Sequence, residues 1–388
     1  MRRVTTRSLV TALLVLAVAG GAAAFAAKVT QNTLGRAYGY AAAVASTKKA
    51  EKGTNVNVNP TKRPAVKGKK IFIISAGQAN LSSAVPANGA AAAAAAIGWQ
   101  ATILDGKLNP STYGTLVSQA IAQGANGIVL VAVDCAAAEQ PLRQAQAAGI
   151  KTVVIYGYDC NDPVAGNGGP SLITTCVNYN NLPCDNPGGN NLGAFAESYG
   201  RDQANYIIAT SKNTARVLLL NDTEFGVIKY TAAGFADQIA HSGGSQIVDT
   251  LNFTAADVGS KLTQMIQAEL LKFPTINWIK SPYTFATILG LVQAIASQPG
   301  KYHVMGGEGF QPELQLIQKH IITAANVIDS TWEGWAAVDS LNSVFQGKKT
   351  YPSGIGWVIA DATHNIPASA NYVPPVNFMA EYKKAWGR

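Results

Sequence analysis

The sequence has few charged side chains and few residues of the types that build metal or redox sites. Lys, Arg, Asp and Glu make up 13% of its 388 residues, with four cysteines and four histidines, whereas a typical globular chain carries roughly 25% charged residues. Hydrophobic residues make up 48%, which excludes disorder over most of the length. Only one stretch, near the N-terminus, approaches the ~18 continuous apolar residues of a membrane span, so a polytopic membrane protein is excluded.

Catalytic signatures are also absent. There is no G-x-S-x-G nucleophile elbow, no H-E-x-x-H metal motif and no Walker A phosphate loop. The histidines fall on different predicted elements, and the cysteine spacing matches no zinc pattern. The sequence therefore predicts a protein that is not an enzyme and that uses neither a cofactor nor a metal. The four histidines are His241, His303, His320 and His364.

The formal net charge of +8 is concentrated in one segment. Residues 1–70 carry 13 Lys and Arg and one acid, whereas residues 71–388 carry 17 Lys and Arg and 21 Asp and Glu. The body is therefore slightly acidic. A nucleic-acid-binding protein would show basic residues clustered on its folded body, so the charge pattern argues against a nucleic-acid partner.

The N-terminus has the pattern of an export signal. Three arginines at positions 2, 3 and 7 precede an apolar segment, and Ala24-Phe25-Ala26 matches an A-x-A cleavage site. We expect a signal peptide over residues 1–26; the alternative is an uncleaved membrane anchor. Residues 27–68 are rich in Lys, Asn, Thr and Ala, and we expect a flexible linker that contributes little to the core, with room for a short helix near 34–50.

Export would place the four cysteines in an oxidising compartment, where disulfides persist. Two apolar strands of equal length lead to Cys135 and Cys160. If these strands are parallel neighbours, the two cysteines end about 4.8 Å apart, within the Cα separation that a disulfide accepts. We therefore expect a Cys135–Cys160 bond, with Cys176 and Cys184 closing a small loop. The alternative is four free buried thiols.

Predicted strands and helices alternate along the body of the chain. The alternation runs from residue 70 to 158, stops at a segment rich in Asn, Gly, Pro and Cys over 159–191, and then restarts. Wholly apolar strands in β-α-β-α order are typical of parallel sheets covered by helices on both faces. The predicted fold class is α/β, with two doubly wound parallel-sheet lobes. The predicted strands are Lys70–Ser75, Gln100–Leu104, Gly127–Val133, Thr152–Tyr158, Ala215–Leu220, Gln246–Asn252, Thr275–Lys280, Tyr302–Met305, Ile321–Ile328 and Gly354–Ala360.

Aromatic, acidic and amide side chains recur where the predicted strands end. Ligands of parallel sheets bind beyond the carboxyl ends of the strands, and two sheets leave a cleft between them. Rings stack on flat ligand faces, and acids and amides bind hydroxyls directionally. The alternatives are helix caps for the three aspartates and plain core for Tyr156 and Trp332. The candidate ligand-binding residues are Gln78, Asn80, Asp134, Tyr156, Tyr158, Asp222, Phe225, Tyr283, Glu308, Asp329 and Trp332.

Seven short stretches of the body carry a family resemblance. They are Lys70-Ile-Phe-Ile-Ile, Gly124-Ala-Asn-Gly-Ile-Val-Leu-Val, Ala147-Ala-Gly-Ile-Lys-Thr-Val-Val-Ile, Asn191-Leu-Gly, Ala233-Gly-Phe, Met305-Gly-Gly-Glu-Gly and Val344-Phe-Gln-Gly-Lys. From residue 69 to about 360 the sequence resembles the type I periplasmic binding proteins, most closely the ribose-binding-protein-like group that serves sugar ABC importers. The resemblance implies two lobes joined by a hinge. It assigns residues 69–190 and 329–357 to one lobe and residues 191–328 and 358–388 to the other.

The binding positions that the resemblance implies are only partly kept. The acid that usually ends the fourth strand falls on Tyr156, and the usual arginine falls on Thr231. The later acid is kept as Glu308, and the aromatic pair expected after the first strand is replaced near Gln78 and Asn80. The loss of two charged partners for sugar hydroxyls predicts a ligand with a flat apolar face.

The resemblance and the strand-end residues together predict an exported solute-binding protein. It would capture a sugar, a sugar-like molecule or an aromatic solute in the cleft between its lobes and deliver it to an ABC permease in the inner membrane. The alternative is a sensory ectodomain of the same fold that signals to a membrane receptor. We expect a monomer, located in the periplasm or outside the cell, without a nucleic-acid partner.

Overall fold

The computed structural model describes residues 37–179 and 190–388, which form two β-sheets flanked by helices. The first sheet has five strands, all parallel, in the order β2-β1-β3-β4-β5. We call this sheet and the helices packed on it the first lobe. Its strands are β1 (Lys70–Ser75), β2 (Gln100–Asp105), β3 (Gly127–Val131), β4 (Lys151–Ile155) and β5 (Thr175–Cys176).

The second sheet has six strands in the order β11-β10-β9-β8-β6-β7. All of its pairs are parallel except β10 with β11, which is antiparallel. With its helices it forms the second lobe. Its strands are β6 (Arg216–Asp222), β7 (Gln246–Phe253), β8 (Trp278–Lys280), β9 (His303–Met305), β10 (Ala324–Val327) and β11 (Val358–Asp361).

Helices cover both faces of the first sheet. Ile71 and Ile73 of β1 pack with α2 and α11, whereas the alternate residues Phe72 and Ile74 pack with α3 and α4. With both faces buried, the strand is apolar throughout. The helices are α1 (Gly39–Lys52), α2 (Leu81–Ile97), α3 (Pro110–Ala122), α4 (Glu139–Ala147), α5 (Asn190–Thr210), α6 (Gly226–Ala240), α7 (Ser260–Lys272), α8 (Thr284–Ala286), α9 (Val292–Ile295), α10 (Gln311–Gln318), α11 (Ser330–Phe345) and α12 (Phe378–Trp386).

The predicted fold class of two parallel-sheet α/β lobes is confirmed, although several strands are shorter than predicted and two regions differ further. Strand β5 lies inside the Asn- and Gly-rich segment, where no strand was expected, because Val153 and Val154 offer it a free sheet edge. The last predicted strand, Gly354–Ala360, is formed only over Val358–Asp361 and runs antiparallel to its neighbour.

Helices α2 and α11 approach each other backbone to backbone. A Cβ atom on Gly334 would lie 2.3 Å from the backbone nitrogen of Ala90, and one on Gly89 would lie 2.6 Å from the carbonyl oxygen of Thr331. Asn80 directly precedes α2, and its side chain accepts a hydrogen bond from the Ser82 N–H and so caps the helix. This close packing holds the start of α2 at the carboxyl end of β1.

The N-terminal strap, which we define as residues 37–66, corrects the expected flexible linker. Helix α1 packs on α5, where the Ser46 hydroxyl donates to Asp202 at 2.9 Å. The backbone N–H of Val56 then donates to the carbonyl of Gly354 at 2.9 Å. Further along, Arg63 is fully buried and its Nε lies 2.6 Å from Asp339 Oδ1. The polar composition suggested a solvated segment, but its partners lie hundreds of residues away in sequence.

The C-terminal helix α12 also lies elsewhere than expected. The family resemblance assigns residues 358–388 to the second lobe. The ring of Phe378 instead stacks on Trp332 at 5.0 Å between centroids, and Trp386 stacks on Trp335 at 5.5 Å. Both tryptophans belong to α11, so α12 completes the core of the first lobe.

The expected Cys135–Cys160 disulfide is confirmed, with a Cα–Cα distance of 5.0 Å. Cys176 is also disulfide-bonded. Its expected partner, Cys184, lies outside the described residues, as does the predicted signal peptide over residues 1–26. Within residues 37–179 and 190–388, no helix has both the length and the apolar character that a bilayer crossing requires.

Candidate functional site

A cavity of about 70 Å³ lies where the carboxyl ends of the two sheets face each other. The first lobe contributes residues that follow β1, β3 and β4. The second lobe contributes residues that follow β6, β8, β9 and β10, together with one face of α5. The lining residues are Asn80, Ser82, Ser83, Ala132 and Tyr156, and then Leu192, Phe195, Ala196, Tyr199, Phe225, Val227, Ile228, Thr231, Pro282, Tyr283, Glu308 and Ile328.

Tyr156 places its ring against the cavity from the first lobe. It follows β4 with a backbone φ of +57°, a left-handed conformation that costs a non-glycine residue on the order of 1–3 kcal/mol. Its hydroxyl donates to the carboxylate of Glu333 and lies 3.2 Å from the Ser330 hydroxyl. Burial raises the pKa of Glu333 to about 8, although the hydrogen bond from Tyr156 acts to lower that pKa. The anchored hydroxyl leaves the ring as the part of Tyr156 that faces a solute.

Glu308 provides the carboxylate of the cavity. It follows β9, is partly accessible, and its Oε2 accepts the backbone N–H of Thr284 at 2.8 Å. Burial raises its pKa, while the Thr284 N–H favours the charged form. The carboxylate is therefore held in place by a backbone donor of the second lobe.

Tyr283 and Asp222 form a pair at the floor of the second lobe. The Tyr283 hydroxyl donates to Asp222 Oδ2 at 2.6 Å. Asp222 is fully buried, and burial raises its pKa to about 6 despite this hydrogen bond. Only Tyr283 reaches the cavity, where the ring of Phe225 meets it edge-on at 6.5 Å. Asp222 thus orients a lining residue and does not line the cavity itself.

The structure brings five of the sequence-predicted residues to the cavity. These are Asn80, Tyr156, Phe225, Tyr283 and Glu308. Each follows a strand end, as the argument from parallel sheets requires.

Other predicted residues have structural roles away from the cavity. Asp329 caps α11 by accepting the N–H of Trp332 at 3.0 Å, and the ring of Trp332 is fully buried in the core. Tyr158 is also buried and stacks on Tyr230 at 4.8 Å. Gln78 lies in the loop after β1, where its backbone N–H donates to Asp105. None of these four residues lines the cavity, and capping or core packing accounts for Asp329, Trp332 and Tyr158.

Asp134 connects the two lobes. Its Oδ1 accepts the N–H of Tyr158 at 3.0 Å, and its Oδ2 accepts the N–H of Gly226, at the start of α6, at 2.9 Å. Burial raises the pKa of Asp134 to about 7, although these two hydrogen bonds act to lower it. A Cβ on Gly226 would lie 2.4 Å from Ala165, so only glycine allows this approach. Asp134 therefore holds the lobes together beside the cavity.

Sequence reasoning missed the aromatic face of α5. Phe195 and Tyr199 both line the cavity, and the Tyr199 hydroxyl donates to the carbonyl of Gly307 at 3.1 Å. They lie four residues apart, which places them on one face of a helix. That spacing is the signal in the sequence, but the prediction considered strand ends only.

Lys280, at the end of β8, lies behind the site. Its side chain is fully buried, and Nζ has no hydrogen-bond partner among the described residues. Burial lowers its pKa to about 7, although the nearby Glu308 carboxylate opposes the shift. Among the lining residues that the structure describes, Glu308 alone is charged.

The nearest arrangement to a metal site in the described residues is on the surface. Glu51, Asp361 and His364 place ligand atoms close together there. His364 Nδ1 lies 3.0 Å from Asp361 Oδ1, so a hydrogen bond between these side chains accounts for their approach.

The chain matches a known family model. The model described as a periplasmic binding protein domain matches residues 71–349, well over half of the chain. None of the curated proteins compared with the chain matches it significantly.

Solved structures show the same fold at low sequence identity. An ABC transporter solute-binding protein from Agrobacterium vitis bound with alpha-D-tagatopyranose is 20% identical, with a TM-score of 0.64 over 79% of this chain and 100% of that one. One from Mycobacterium smegmatis with bound glycerol is 19% identical, with a TM-score of 0.62 over 79% and 100%. One from Burkholderia graminis in complex with D-arabinose is 17% identical, with a TM-score of 0.61 over 76% and 96%.

These matches confirm the resemblance seen in the sequence motifs. The family model extends from β1 to just beyond α11 and so includes both sheets apart from β11. The chain belongs to the periplasmic binding protein domain family.

Proposed function

We propose that this protein captures one compact solute between its two lobes and delivers it to an ABC importer. The observation that carries the proposal is the cavity built from strand ends of both lobes. A solute there touches Tyr156 of the first lobe and Glu308 of the second at once. Such a solute binds the closed arrangement better than any open one, so its binding shifts the population towards closure.

The similar proteins support this role. The similar solved structures are of ABC transporter solute-binding proteins, and those named above hold small hydroxylated molecules such as D-arabinose and glycerol. Delivery to a membrane permease and export through the N-terminal signal are parts of the same proposal. A protein that captures solutes for import must reach the outer face of the membrane that holds the permease.

A thermal-shift screen of sugars, polyols, amines and aromatic acids tests solute capture. A solute at 100 times its Kd should add about 2.7 kcal/mol of apparent stability. The substitution Phe225→Ala removes a partly accessible lining ring and should weaken binding of that solute. Lys319→Ala, at an exposed position after α10, is the matched control and should leave binding unchanged.

Uptake in cells tests delivery. Cells that lack the gene should lose uptake of the solute found in the screen. The unaltered gene and the Lys319→Ala variant should restore uptake, and the Phe225→Ala variant should restore it poorly. Uptake that is unaffected by loss of the gene would contradict the importer role.

A further inference from the structure

We propose that the captured solute is a small organic cation bearing alkyl groups, of the alkylated ammonium class. The inference rests on the proposed function, since it names the solute of the same cavity. It follows from the charge of the lining, from the direction of the lining hydroxyls, and from the aromatic rings.

Among the described residues, the one charged side chain that lines the cavity is acidic and has no ion-pair partner within 4.0 Å, although the buried amine of Lys280 lies behind it. Glu308 is the one charged side chain among the described lining residues, and no Lys, Arg or His lines the cavity with it. None of the ion pairs within 4.0 Å among the described residues involves Glu308. An anionic solute would meet a carboxylate that has no ion-pair partner among the described lining residues, whereas a cation would supply one.

The lining hydroxyls already donate their protons to the protein. Tyr156 donates to Glu333, Tyr199 to the carbonyl of Gly307, and Tyr283 to Asp222. The Thr231 hydroxyl likewise donates to the carbonyl of Ile228 at 3.0 Å. Their oxygens can still accept, and the lining side chains that keep other hydrogen-bonding groups for a solute are those of Asn80, Ser82, Ser83 and Glu308.

A sugar carries several hydroxyls, each of which needs partners once it is removed from water. Four short polar side chains cannot satisfy them, and an unsatisfied buried hydroxyl weakens binding. Alkyl groups need no hydrogen bonds. They match the apolar remainder of the lining, which includes Leu192, Ile228 and Pro282.

The aromatic rings give the cavity a second means of attracting a cation. Five rings line it, and because the tyrosine hydroxyls are anchored, the rings are what the solute meets. The face of an aromatic ring carries negative electrostatic potential and attracts ammonium groups within about 6 Å of its centroid. The lining rings are Tyr156, Phe195, Tyr199, Phe225 and Tyr283.

The size of the cavity favours a compact solute. A group the size of a water molecule needs about 10–15 Å³ of cavity volume. The cavity volume of about 70 Å³ therefore holds roughly five to seven such groups. A trimethylammonium group with a short substituent has this size, whereas a hexose is larger.

The test compares a cation with its neutral isostere. Choline chloride and 3,3-dimethyl-1-butanol have the same shape and differ in charge. Calorimetry on the full chain after export should show choline binding about tenfold or more tightly, as expected for a desolvated cation against a carboxylate and rings. D-ribose and glycerol serve as hydroxylated probes, and sodium acetate serves as an anionic one.

A matched pair of variants assigns the preference to this cavity. Glu308→Gln keeps the shape of the side chain and should abolish the preference for choline over the isostere, while Lys319→Ala should keep it. Circular dichroism and melting temperature of each variant without solute show whether it is folded. Lys280→Met removes the buried amine behind the cavity; a preference that depends on Glu308 should survive this change.

Each other outcome overturns the inference. Equal affinity for choline and its isostere, or no choline binding, rejects a cationic solute. If ribose or glycerol binds and choline does not, the proposed capture and delivery of a solute still stands. In that case only the chemical class proposed for the solute is wrong. If no probe binds and uptake assays are also unaffected by loss of the gene, the proposed function fails with it.

Discussion

At the scale of single residues, the sequence predicted which positions lie at strand ends but not what each side chain does there. Glu308 and Tyr283 reach the cavity, whereas Asp329 caps a helix and Trp332 fills the core. All four follow strands and have suitable chemistry. The difference arises from neighbours distant in sequence, such as Phe378 stacked on Trp332. A single sequence does not show such contacts.

Trp332 tests the corrected assignment. Because its ring is fully buried against Phe378, Trp332→Ala should lower the free energy of unfolding by about 3–5 kcal/mol, as other large-to-small core substitutions do. Urea unfolding monitored by circular dichroism measures this. Lys319→Ala should change stability little, and a stable Trp332→Ala protein with weakened solute binding would restore the original assignment to the site.

Asp134 should make stability depend on pH. Its pKa is raised from 3.8 to about 7 in the folded protein, so the folded state holds its proton over a range where the unfolded state has lost it. The contribution of protonated Asp134 to the free energy of unfolding is complete below pH 3.8. It is lost as the pH rises through about 7. Between pH 5 and 7.5 this one group should lower the free energy of unfolding by on the order of 2 kcal/mol.

The comparison with Asp134→Asn isolates this contribution. Other buried acids with raised pKa values, such as Asp222 and Glu333, act in the same direction in both proteins. Urea unfolding at the two pH values should therefore show a smaller decrease for Asp134→Asn than for the unaltered protein. Equal decreases would mean that Asp134 titrates in the folded state as it does in the unfolded chain.

At the scale of helices and strands, prediction was most successful where burial acts on a continuous segment. The apolar strands β1, β3 and β4 were placed correctly because strands covered on both faces must be apolar throughout. The restart of the alternation after residue 191 predicts a helix at α5, but it does not predict the role of Phe195 and Tyr199. Helical periodicity shows that two residues lie on one face of a helix. It does not show which part of the molecule that face contacts.

The crossing of α2 and α11 provides a test at this scale. Gly334→Ala places a Cβ 2.3 Å from the Ala90 nitrogen, and because the neighbour is backbone, the helices must separate. We expect a loss of about 1–3 kcal/mol in the free energy of unfolding, as for overpacked cores.

Gly114→Ala in α3 is the matched control. It is also a helical glycine, but its added Cβ would lie 3.4 Å from Pro141, an ordinary contact. Alanine favours helices over glycine by up to about 1 kcal/mol, so this variant should be neutral or more stable. Thermal melts of both variants decide the point, and equal stability of the two would refute backbone contact between α2 and α11.

At the scale of the whole molecule, the two lobes were predictable and the course of the chain ends was not. The lobes follow from alternating strands and helices, a pattern that is visible among neighbouring residues of the sequence. The strap and α12 depend instead on pairs such as Arg63 with Asp339, which are 276 residues apart. Composition indicated a solvated linker, because a lone arginine among Lys, Asn and Thr gives no sign of a buried acid elsewhere.

The strap should restrain the lobes. Val56→Pro removes the N–H that donates to Gly354, since proline has none. Asn57→Pro is the control, because the Asn57 N–H makes no backbone hydrogen bond among the described residues. Small-angle X-ray scattering without solute should give a larger radius of gyration for Val56→Pro than for Asn57→Pro. Identical radii would show that this backbone pairing does not limit opening.

The strap also affects the rates at which solute enters and leaves the cavity. Because it is bonded to α5 of the second lobe and to α11 of the first, separation of the lobes must strain or break these contacts. A protein that is closed for most of the time admits solute slowly, and its apparent affinity falls with the fraction that is open. We therefore expect the Val56→Pro variant to exchange its solute faster, in both directions, than the Asn57→Pro variant.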